Sequence, residues 1–296
     1  MKLKQIPEDF IVEEASTVEF DDGSFSCFLL EKVNYNTLDA IKHIANKLHI
    51  PEKRISFAGT KDRNAITKQF ISIQDVSPDR VEKIELKDIK LKYAGKRSRP
   101  ISLGELDTNK FTITIREIDI KPEPINSFIN YYGPQRFSTN NVEIGRHIVK
   151  GNLKEVQPFI GDIFSIPVRN LKIYVHAYQS MIWNKMVDTC IEKNLNPEKV
   201  PIPGFGTELE KDELGQIVKE ALKEENLTLR SFINRKIPNL SLEGSMRKTK
   251  IDVNDLTISD LEDNDLGSGK KITISFTLPK GCYATVFIDQ LFNKNK

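Results

Sequence analysis

Apolar and polar side chains alternate over Lys271-Ile272-Thr273-Ile274-Ser275-Phe276-Thr277-Leu278, near the carboxyl end of the chain. The same alternation occurs in Phe111-Thr112-Ile113-Thr114-Ile115-Arg116, and two less regular β-rich segments, 54–57 and 66–73, precede it. A period of two residues with β-branched side chains is typical of half-buried strands in an antiparallel or mixed sheet. The pattern therefore predicts a sheet whose strands come from both ends of the chain.

Helical spacing is the second pattern in the sequence. Asn36-Thr37 supplies an N-cap, and apolar residues then recur every three or four positions up to Leu48. The same spacing predicts helices from about Val175 to Lys193 and from Asp212 to Asn226. Strands dominate both ends of the chain and helices its middle. A final strand that returns to an earlier sheet after a helical interval predicts an inserted module.

The composition is that of a globular protein with enough chain for one large domain or two modest ones. The chain has 296 residues, of which 39% are hydrophobic and 29% charged. It contains no apolar run of the ~18–20 residues that span a bilayer, and no hydrophobic stretch follows its first residues. The three cysteines, Cys27, Cys190 and Cys282, include no CxxC pair. We expect a cytoplasmic protein with no membrane contact and no disulfide framework.

The common cofactor motifs are missing from the sequence. It contains no HExxH, GxGxxG, GxxxxGK[ST] or GxSxG, which are typical of zinc proteases, dinucleotide enzymes, P-loop proteins and serine hydrolases. The four histidines lack metal-ligand spacing, and a solvated or core-edge position is the commoner role for such residues. We therefore expect chemistry that rests on a carboxylate, with no metal and no cofactor.

Charge is strongly segregated along the chain although the formal net charge is only +2. Residues 1–31 hold eight acids and two bases, residues 42–100 hold fifteen bases and seven acids, and residues 251–269 hold six acids and no base. The densest basic cluster is Lys92-Tyr93-Ala94-Gly95-Lys96-Arg97-Ser98-Arg99-Pro100, which we interpret as a loop or strand end. Such a cluster is either a chance grouping of surface charge or a basic face for the phosphates of a nucleic acid.

One acidic residue stands between two bases in a β-rich context. The stretch Ser56-Phe57-Ala58-Gly59-Thr60-Lys61-Asp62-Arg63-Asn64-Ala65-Ile66-Thr67-Lys68-Gln69 is predicted as strand, tight turn and strand, with Gly59 permitting the turn. The adjacent cations would lower the pKa of Asp62, which suits a nucleophile. The alternative is an ordinary surface turn, in which such pairing contributes ~0–1 kcal/mol to stability. These residues alone leave both interpretations open.

Short motifs throughout the chain decide between the two. The most specific is Phe57-Ala58-Gly59-Thr60-Lys61-Asp62-Arg63. The others, in chain order, are Pro7-Glu8-Asp9-Phe10, Leu103-Gly104, Asn109-Lys110-Phe111, Asn130-Tyr131-Tyr132-Gly133-Pro134-Gln135-Arg136-Phe137, Gln179-Ser180-Met181-Ile182-Trp183-Asn184, Gly244-Ser245-Met246-Arg247 and Leu278-Pro279-Lys280-Gly281-Cys282-Tyr283-Ala284-Thr285. In sequence and order they resemble the motifs of the TruD family of tRNA pseudouridine synthases.

The resemblance implies an α+β fold: a pseudouridine-synthase catalytic domain with a large mixed, mainly antiparallel sheet, interrupted by a TruD-type insertion domain. The catalytic domain would comprise residues 1–129 and 256–296, and the insertion domain residues 130–255, or a shorter segment with its structural start nearer 151. The implied activity is the isomerisation of uridine to pseudouridine in tRNA, at position 13 by family habit. The resemblance implies tRNA as the partner. Because the net change is an isomerisation, neither a metal nor a cofactor is required. We expect a monomer.

By the same resemblance, Asp62 aligns with the catalytic aspartate and Lys4 with a basic residue near it. Phe10, Asn109, Phe111 and Tyr283 match positions that hold the substrate nucleotide. The candidates for contacts with RNA are basic residues: Lys61, Arg63, Lys96, Arg97 and Arg99. The leading alternative is a catalytically inactive RNA-binding protein with the same basic face. A carboxylate-dependent glycosidase ranks last, because it requires a second catalytic acid that the sequence does not identify.

Overall fold

The structure is a computed structural model that describes residues 1–16 and 18–293. Its strands, labelled β1 to β13 in chain order, are Phe10–Ala15, Phe25–Val33, Ile55–Phe57, Ile66–Gln74, Ile89–Arg97, Thr108–Ile118, Ser127–Ile129, Lys199–Ile202, Ser245–Lys248, Lys250–Asp252, Asn254–Ile258, Glu262–Asp263 and Lys270–Pro279. Its α-helices, labelled α1 to α7, are Thr37–Leu48, Pro78–Glu82, Asn141–Val149, Gln157–Ile160, Val168–Glu192, Glu213–Glu224 and Ala284–Asn293.

A nine-stranded mixed sheet contains the predicted strands. The main path of this sheet runs β11-β13-β6-β1-β4-β2-β5, with β12 beside β13 and β3 beside β4. Strands β1 and β4 are parallel, and the other neighbours along this path are antiparallel. The last strand pairs with β6 along its whole length, from Lys270 opposite Ile118 to Pro279 opposite Thr108. This pairing confirms that the carboxyl end of the chain returns to an earlier sheet.

The first helix covers one face of this sheet. The Asn36 side chain caps α1 by accepting a hydrogen bond from the Asp39 amide, as the sequence predicted. The core on this face contains Phe28 and Leu30 from β2, Ile71 from β4 and Ile44 from the helix, all fully buried. Each such side chain contributes roughly 1.5–3 kcal/mol when it leaves water, so α1 is held to the sheet mainly by apolar burial.

The chain divides into two compact units. Of the described residues, the first unit comprises 1–16, 18–126, 252–284 and 291–293, and the second comprises 127–251 and 285–290. The assignment of the second unit to a TruD-type insertion domain stays a prediction. Its core surrounds α5, whose buried stripe includes Leu171, Val175, Tyr178 and Trp183. The helix begins at Val168, about two turns earlier than predicted, because Leu171 continues the same buried stripe towards the amino terminus.

Two strongly charged segments contain strands: the basic stretch, which was predicted as a loop or strand end, and the acidic stretch. The basic stretch 92–100 lies largely in β5, at the edge of the sheet, where lysines protect the unpaired backbone from other chains. The acidic stretch 251–269 contains β11, β12 and part of β10. In both cases pairing with other strands overrides unfavourable local composition. Within residues 1–16 and 18–293, no helix combines the length and apolarity needed to cross a membrane.

Candidate active site

Asp62 lies in an eight-residue loop, residues 58–65, which joins β3 to β4 and is called the Asp62 loop below. The prediction of a tight turn is wrong, because β3 pairs with the far half of β4, with Phe57 opposite Ile71. Gly59 does not require a left-handed backbone. A side chain there would instead place its Cβ 3.2 Å from Leu106, so the glycine permits a close approach rather than a turn.

Buried polar groups hold the Asp62 loop in place. The Lys61 amide donates to the Thr37 hydroxyl at 2.8 Å, and that hydroxyl donates to Gln69 Oε1 at 2.9 Å. Gln69 Nε2 in turn donates to the Gly59 carbonyl at 2.8 Å. Thr37 and Gln69 are both fully buried, so each lost hydrogen bond in this chain would leave a polar group without water. The network therefore fixes the backbone on the amino-terminal side of Asp62.

The Asp62 carboxylate forms an ion pair with Lys4. Lys4 Nζ lies 2.7 Å from Asp62 Oδ2, and the two side chains are 23% and 37% exposed. The same ammonium lies 3.9 Å from the centre of the Phe10 ring, a cation–π contact. The Lys4 backbone has a φ of 57°, a left-handed conformation that disfavours residues with a Cβ. The fold thus maintains an unfavourable backbone conformation at the residue that meets the carboxylate.

A buried ion pair anchors the segment that carries Lys4. Asp9 and Arg116 are almost completely buried, and Arg116 Nε lies 3.0 Å from both carboxylate oxygens. Asp9 Oδ2 also accepts hydrogen bonds from the amides of Gln5 and Ile6. The Asp9 carboxylate therefore ties the turn after Lys4 to strand β6.

Lys32 is a residue of this site that the sequence did not single out. Its side chain is fully buried at the end of β2, and its Nζ donates to the carbonyls of Tyr35 and Asp62, the latter at 3.1 Å. Burial lowers the pKa of Lys32 to about 8, partly offset by attraction to Asp62 and reinforced by repulsion from Lys61. The signal in the sequence is a lysine at an inward position of β2, two residues after the buried Leu30.

Aromatic rings line the neighbouring strands. Phe111 on β6 packs edge to face against Phe10, with centroids 6.2 Å apart, and stacks on Phe276 of β13 at 5.4 Å. Phe276 is fully buried, whereas Phe111 retains 8% exposure. Asn109, on the same face of β6 and opposite Glu14, has a buried Oδ1 that accepts no hydrogen bond from the described residues. A buried acceptor without a donor is uncommon in proteins.

Comparison with known proteins identifies a family whose members match nearly the whole chain. The family model of tRNA pseudouridine synthase D (TruD) matches residues 1–166 and 197–291. The chain belongs to the TruD family. The family activity, isomerisation of uridine to pseudouridine in tRNA, is therefore the activity of this chain, and the enzyme is an isomerase.

Individual relatives agree with the family model. A probable tRNA pseudouridine synthase D of Methanosarcina acetivorans is 29% identical, over 97% of this chain and 91% of the relative. A tRNA pseudouridine synthase D of Aquifex aeolicus is 26% identical, over 99% and 98% respectively. A crystal structure from Methanosarcina mazei, of a protein assigned as tRNA pseudouridine synthase D (TruD), superposes with a TM-score of 0.75 at 25% identity. It covers 98% of this chain and 92% of its own, which confirms the predicted fold class.

The structure separates the basic residues that were predicted to contact RNA. Arg63, Lys96 and Arg99 are exposed, and Arg63 immediately follows Asp62. Lys61 is buried instead and pairs with the fully buried Glu14 carboxylate at 2.7 Å.

Arg97 is also buried, and it pairs with Glu105 at 2.5 Å. The low exposure of the Lys61 and Arg97 side chains argues against direct phosphate contacts, because each would first have to leave its carboxylate partner. Local sequence did not reveal this, since both partners come from other parts of the chain.

The remaining predicted residue, Tyr283, is half-buried in the turn between β13 and α7. Its contact with the substrate stays a prediction. Within the described residues, no three histidine, cysteine or acidic side chains come together in an arrangement able to hold a metal ion.

Proposed function

We propose that Asp62 is the nucleophile of the isomerisation and that the target is uridine 13 of tRNA. The observation that carries this assignment is the Lys4–Asp62 ion pair, on a loop fixed by buried hydrogen bonds and beside the Phe10 ring. An ammonium 2.7 Å from one carboxylate oxygen stabilises the anionic form that attack requires.

The atoms balance without a co-reactant. A carboxylate oxygen of Asp62 forms a bond to C1′ of the target uridine as the C1′–N1 bond breaks, and the released uracil turns to present C5. That C1′–O bond breaks again as C5 takes its place and forms the C1′–C5 bond. C5 then loses its proton, and N1 ends with a proton. Substrate and product are isomers, so the proposed reaction consumes no metal, nucleotide or redox partner.

The Phe111 ring would contact the target base after the base flips out of the RNA stack. Enzymes that act on a base take it out of the helical stack and receive it between aromatic or apolar side chains. Phe111 retains some exposure beside the buried Phe276 and so offers a ring for this contact. Each base–aromatic stack contributes about 1–3 kcal/mol. Asn109 Oδ1, which accepts no bond from the described residues, matches the N3–H donor of uracil.

The exposed basic residues Arg63, Lys96 and Arg99 form the proposed RNA-contact surface. Their positive charges would neutralise phosphates of the bound tRNA. We also propose that the enzyme acts as a monomer in the cytoplasm, where its substrate and a reducing environment are found.

Replacing Asp62 tests the assignment. Asp62→Asn keeps the size of the side chain and removes its charge. We expect no detectable pseudouridine in a tRNA transcript, with a dissociation constant for tRNA within about threefold of the unchanged enzyme. Asp75→Asn is the matched control, because Asp75 is a surface aspartate that pairs with Arg54 at 3.4 Å. A transcript with cytidine at position 13 checks the site of modification.

Three results would contradict the proposal. An active Asp62→Ala enzyme would remove Asp62 from the chemistry. Binding of tRNA by the unchanged protein without any pseudouridine would favour the inactive RNA-binding protein. Release of free uracil would favour a glycosidase.

A further inference from the structure

Lys32 is a buried lysine without a carboxylate partner in the described part of the chain. Its side chain has no exposed surface, and its two hydrogen-bond acceptors are the neutral carbonyls of Tyr35 and Asp62. Lysine is almost never fully buried unless it is paired. Taking an ammonium out of water is unfavourable by several kcal/mol, which two carbonyl dipoles offset only in part. We therefore expect a lysine at such a position to have a role beyond packing.

The surroundings of Lys32 identify what its charge acts on. The charged groups that face it belong to the Asp62 loop, Lys61 and Asp62. Lys61 is neutralised by Glu14 of β1, and Lys4 of the amino-terminal segment is paired with Asp62. These three lysines and two carboxylates carry a net charge of +1 when all are ionised, and Lys32 supplies the excess. From β4, the residue opposite Lys32 is the neutral Thr67.

The geometry also shows how Lys32 fixes the nucleophile. One ammonium joins the main chain of Asp62 to the carbonyl of Tyr35, just beyond the end of β2. The buried hydrogen bonds of Thr37 and Gln69 hold the loop on the other side, at Gly59 and Lys61. Asp62 is thus attached to the rest of the first unit through its main chain and, by Lys4, through its side chain.

We propose that Lys32 is a positioning residue of the isomerisation, whose buried ammonium fixes the Asp62 main chain and adds a second positive charge to the surroundings of the Asp62 carboxylate. This inference rests on the proposed nucleophile and extends it. A consequence is that loss of the Lys32 proton weakens both effects, so the chemical step slows as pH rises through the range in which this amine titrates. A purely structural lysine would produce no such dependence.

The test compares single-turnover rates of pseudouridine formation between pH 6 and 9.5. We expect the rate of the unchanged enzyme to fall with a midpoint near pH 8, because burial lowers the pKa of Lys32 to about 8. In Lys32→Arg this fall should disappear, since a guanidinium stays charged throughout the range. Lys32→Met should lower kcat about 100-fold at pH 7 with KM within threefold. Lys68→Arg is the matched control, a lysine of β4 paired with Glu13, and should keep the fall near pH 8.

Several outcomes would overturn the inference. These are a fall near pH 8 that persists in Lys32→Arg, no fall in the unchanged enzyme, or a Lys32→Met enzyme of unchanged kcat. If neither variant folds by circular dichroism, the test is nuclear magnetic resonance of the lysine Cε signals of the unchanged enzyme. The inference is contradicted if none of these lysines titrates with a midpoint near pH 8. Asp62→Asn measured alongside separates the two proposals: if it is active, the proposed nucleophile fails. If it is inactive while Lys32→Arg keeps the fall, only the role of Lys32 fails.

Discussion

Arg116 Nε lies 3.0 Å from both carboxylate oxygens of Asp9, and the two residues are 3% and 1% exposed. This pair joins the Pro7-Glu8-Asp9-Phe10 motif to strand β6, 107 residues further along the chain. The hydrogen bonds that Arg116 donates to Asp9 are the main reason why the pKa of Arg116 lies above its ordinary value. The segment that follows Lys4 is therefore held in place by a buried ion pair.

Asp9→Asn should destabilise the protein by about 3 kcal/mol. It keeps the shape of the side chain but leaves the buried guanidinium with only the partly exposed Asp265 as a carboxylate partner. Urea unfolding measures the change in the free energy of unfolding. Glu8→Gln, at the neighbouring position of the motif, is the control and should change stability by less than about 0.5 kcal/mol. A stable Asp9→Asn protein would show that Arg116 is satisfied without Asp9.

Lys4→Met should lower kcat about 100-fold and leave tRNA affinity nearly unchanged. Methionine keeps the contact with the Phe10 ring but removes the ammonium that pairs with Asp62. Steady-state kinetics and a binding isotherm separate the two effects. Lys2→Met is the control, since Lys2 pairs with Glu117 and is 53% exposed. Equal losses in the two variants would indicate that general charge, not the pair with Asp62, is responsible.

Phe111→Leu and Phe276→Leu should differ in activity although they are similar in stability. Both remove part of a stacked aromatic pair from the core, and each should cost about 1–2 kcal/mol in urea unfolding. Only Phe111 retains exposed surface for a base, so only Phe111→Leu should lower kcat/KM, by about tenfold or more. Equal activity of the two variants would indicate that Phe111 only packs in the core and does not contact the base.

The stability contributed by Lys32 should rise between about pH 8 and pH 10.5. Burial lowers its pKa to about 8 in the folded protein, from an ordinary value of 10.5. Below pH 8 both states hold the proton, and the unfavourable burial of the charge is fully present. Between the two values only the unfolded state binds the proton, so stability increases with pH, by about 3 kcal/mol in total. Urea unfolding of the unchanged protein and Lys32→Met at each pH should show this difference, and a constant difference would contradict it.

Removing Lys96 and Arg99 together should weaken tRNA binding and flatten its salt dependence. Each phosphate contact contributes about one counterion, so the double alanine variant should reduce the slope of log K against log salt by roughly 2. Lys121 and Lys270 are exposed lysines paired with Asp260 and Asp263, and their double alanine variant is the control. An unchanged slope in the first variant would direct attention to basic residues of the second unit.

Arg97 is left out of that variant for a physical reason. Its side chain is buried and pairs with the partly exposed Glu105, so Arg97→Ala would leave a cavity, remove that pair and lower stability. A loss of binding in that variant would report unfolding as much as a lost contact with phosphate.

Local pattern was enough for much of the fold, whereas the role of Asp62 as nucleophile stays a prediction that rests on the family motif. Alternation over 111–116 and 271–278 predicted strands that the structure pairs directly, and Asn36 caps α1 as expected. These features depend on neighbours within a few residues, which the sequence displays. The family motif around Asp62 predicted the reaction, because the chemistry needs particular side chains in a particular order.

Burial and partner choice were decided only by the tertiary structure. Lys61 and Arg97 were predicted as RNA contacts, yet their side chains are buried and paired with Glu14 and Glu105, and the local sequence did not single out the buried Lys32. The pair between Lys4 and Asp62 joins positions 58 residues apart. Whether a charge meets water, a carboxylate or a carbonyl depends on which strands become neighbours, and that is set by packing of the whole sheet rather than by local sequence.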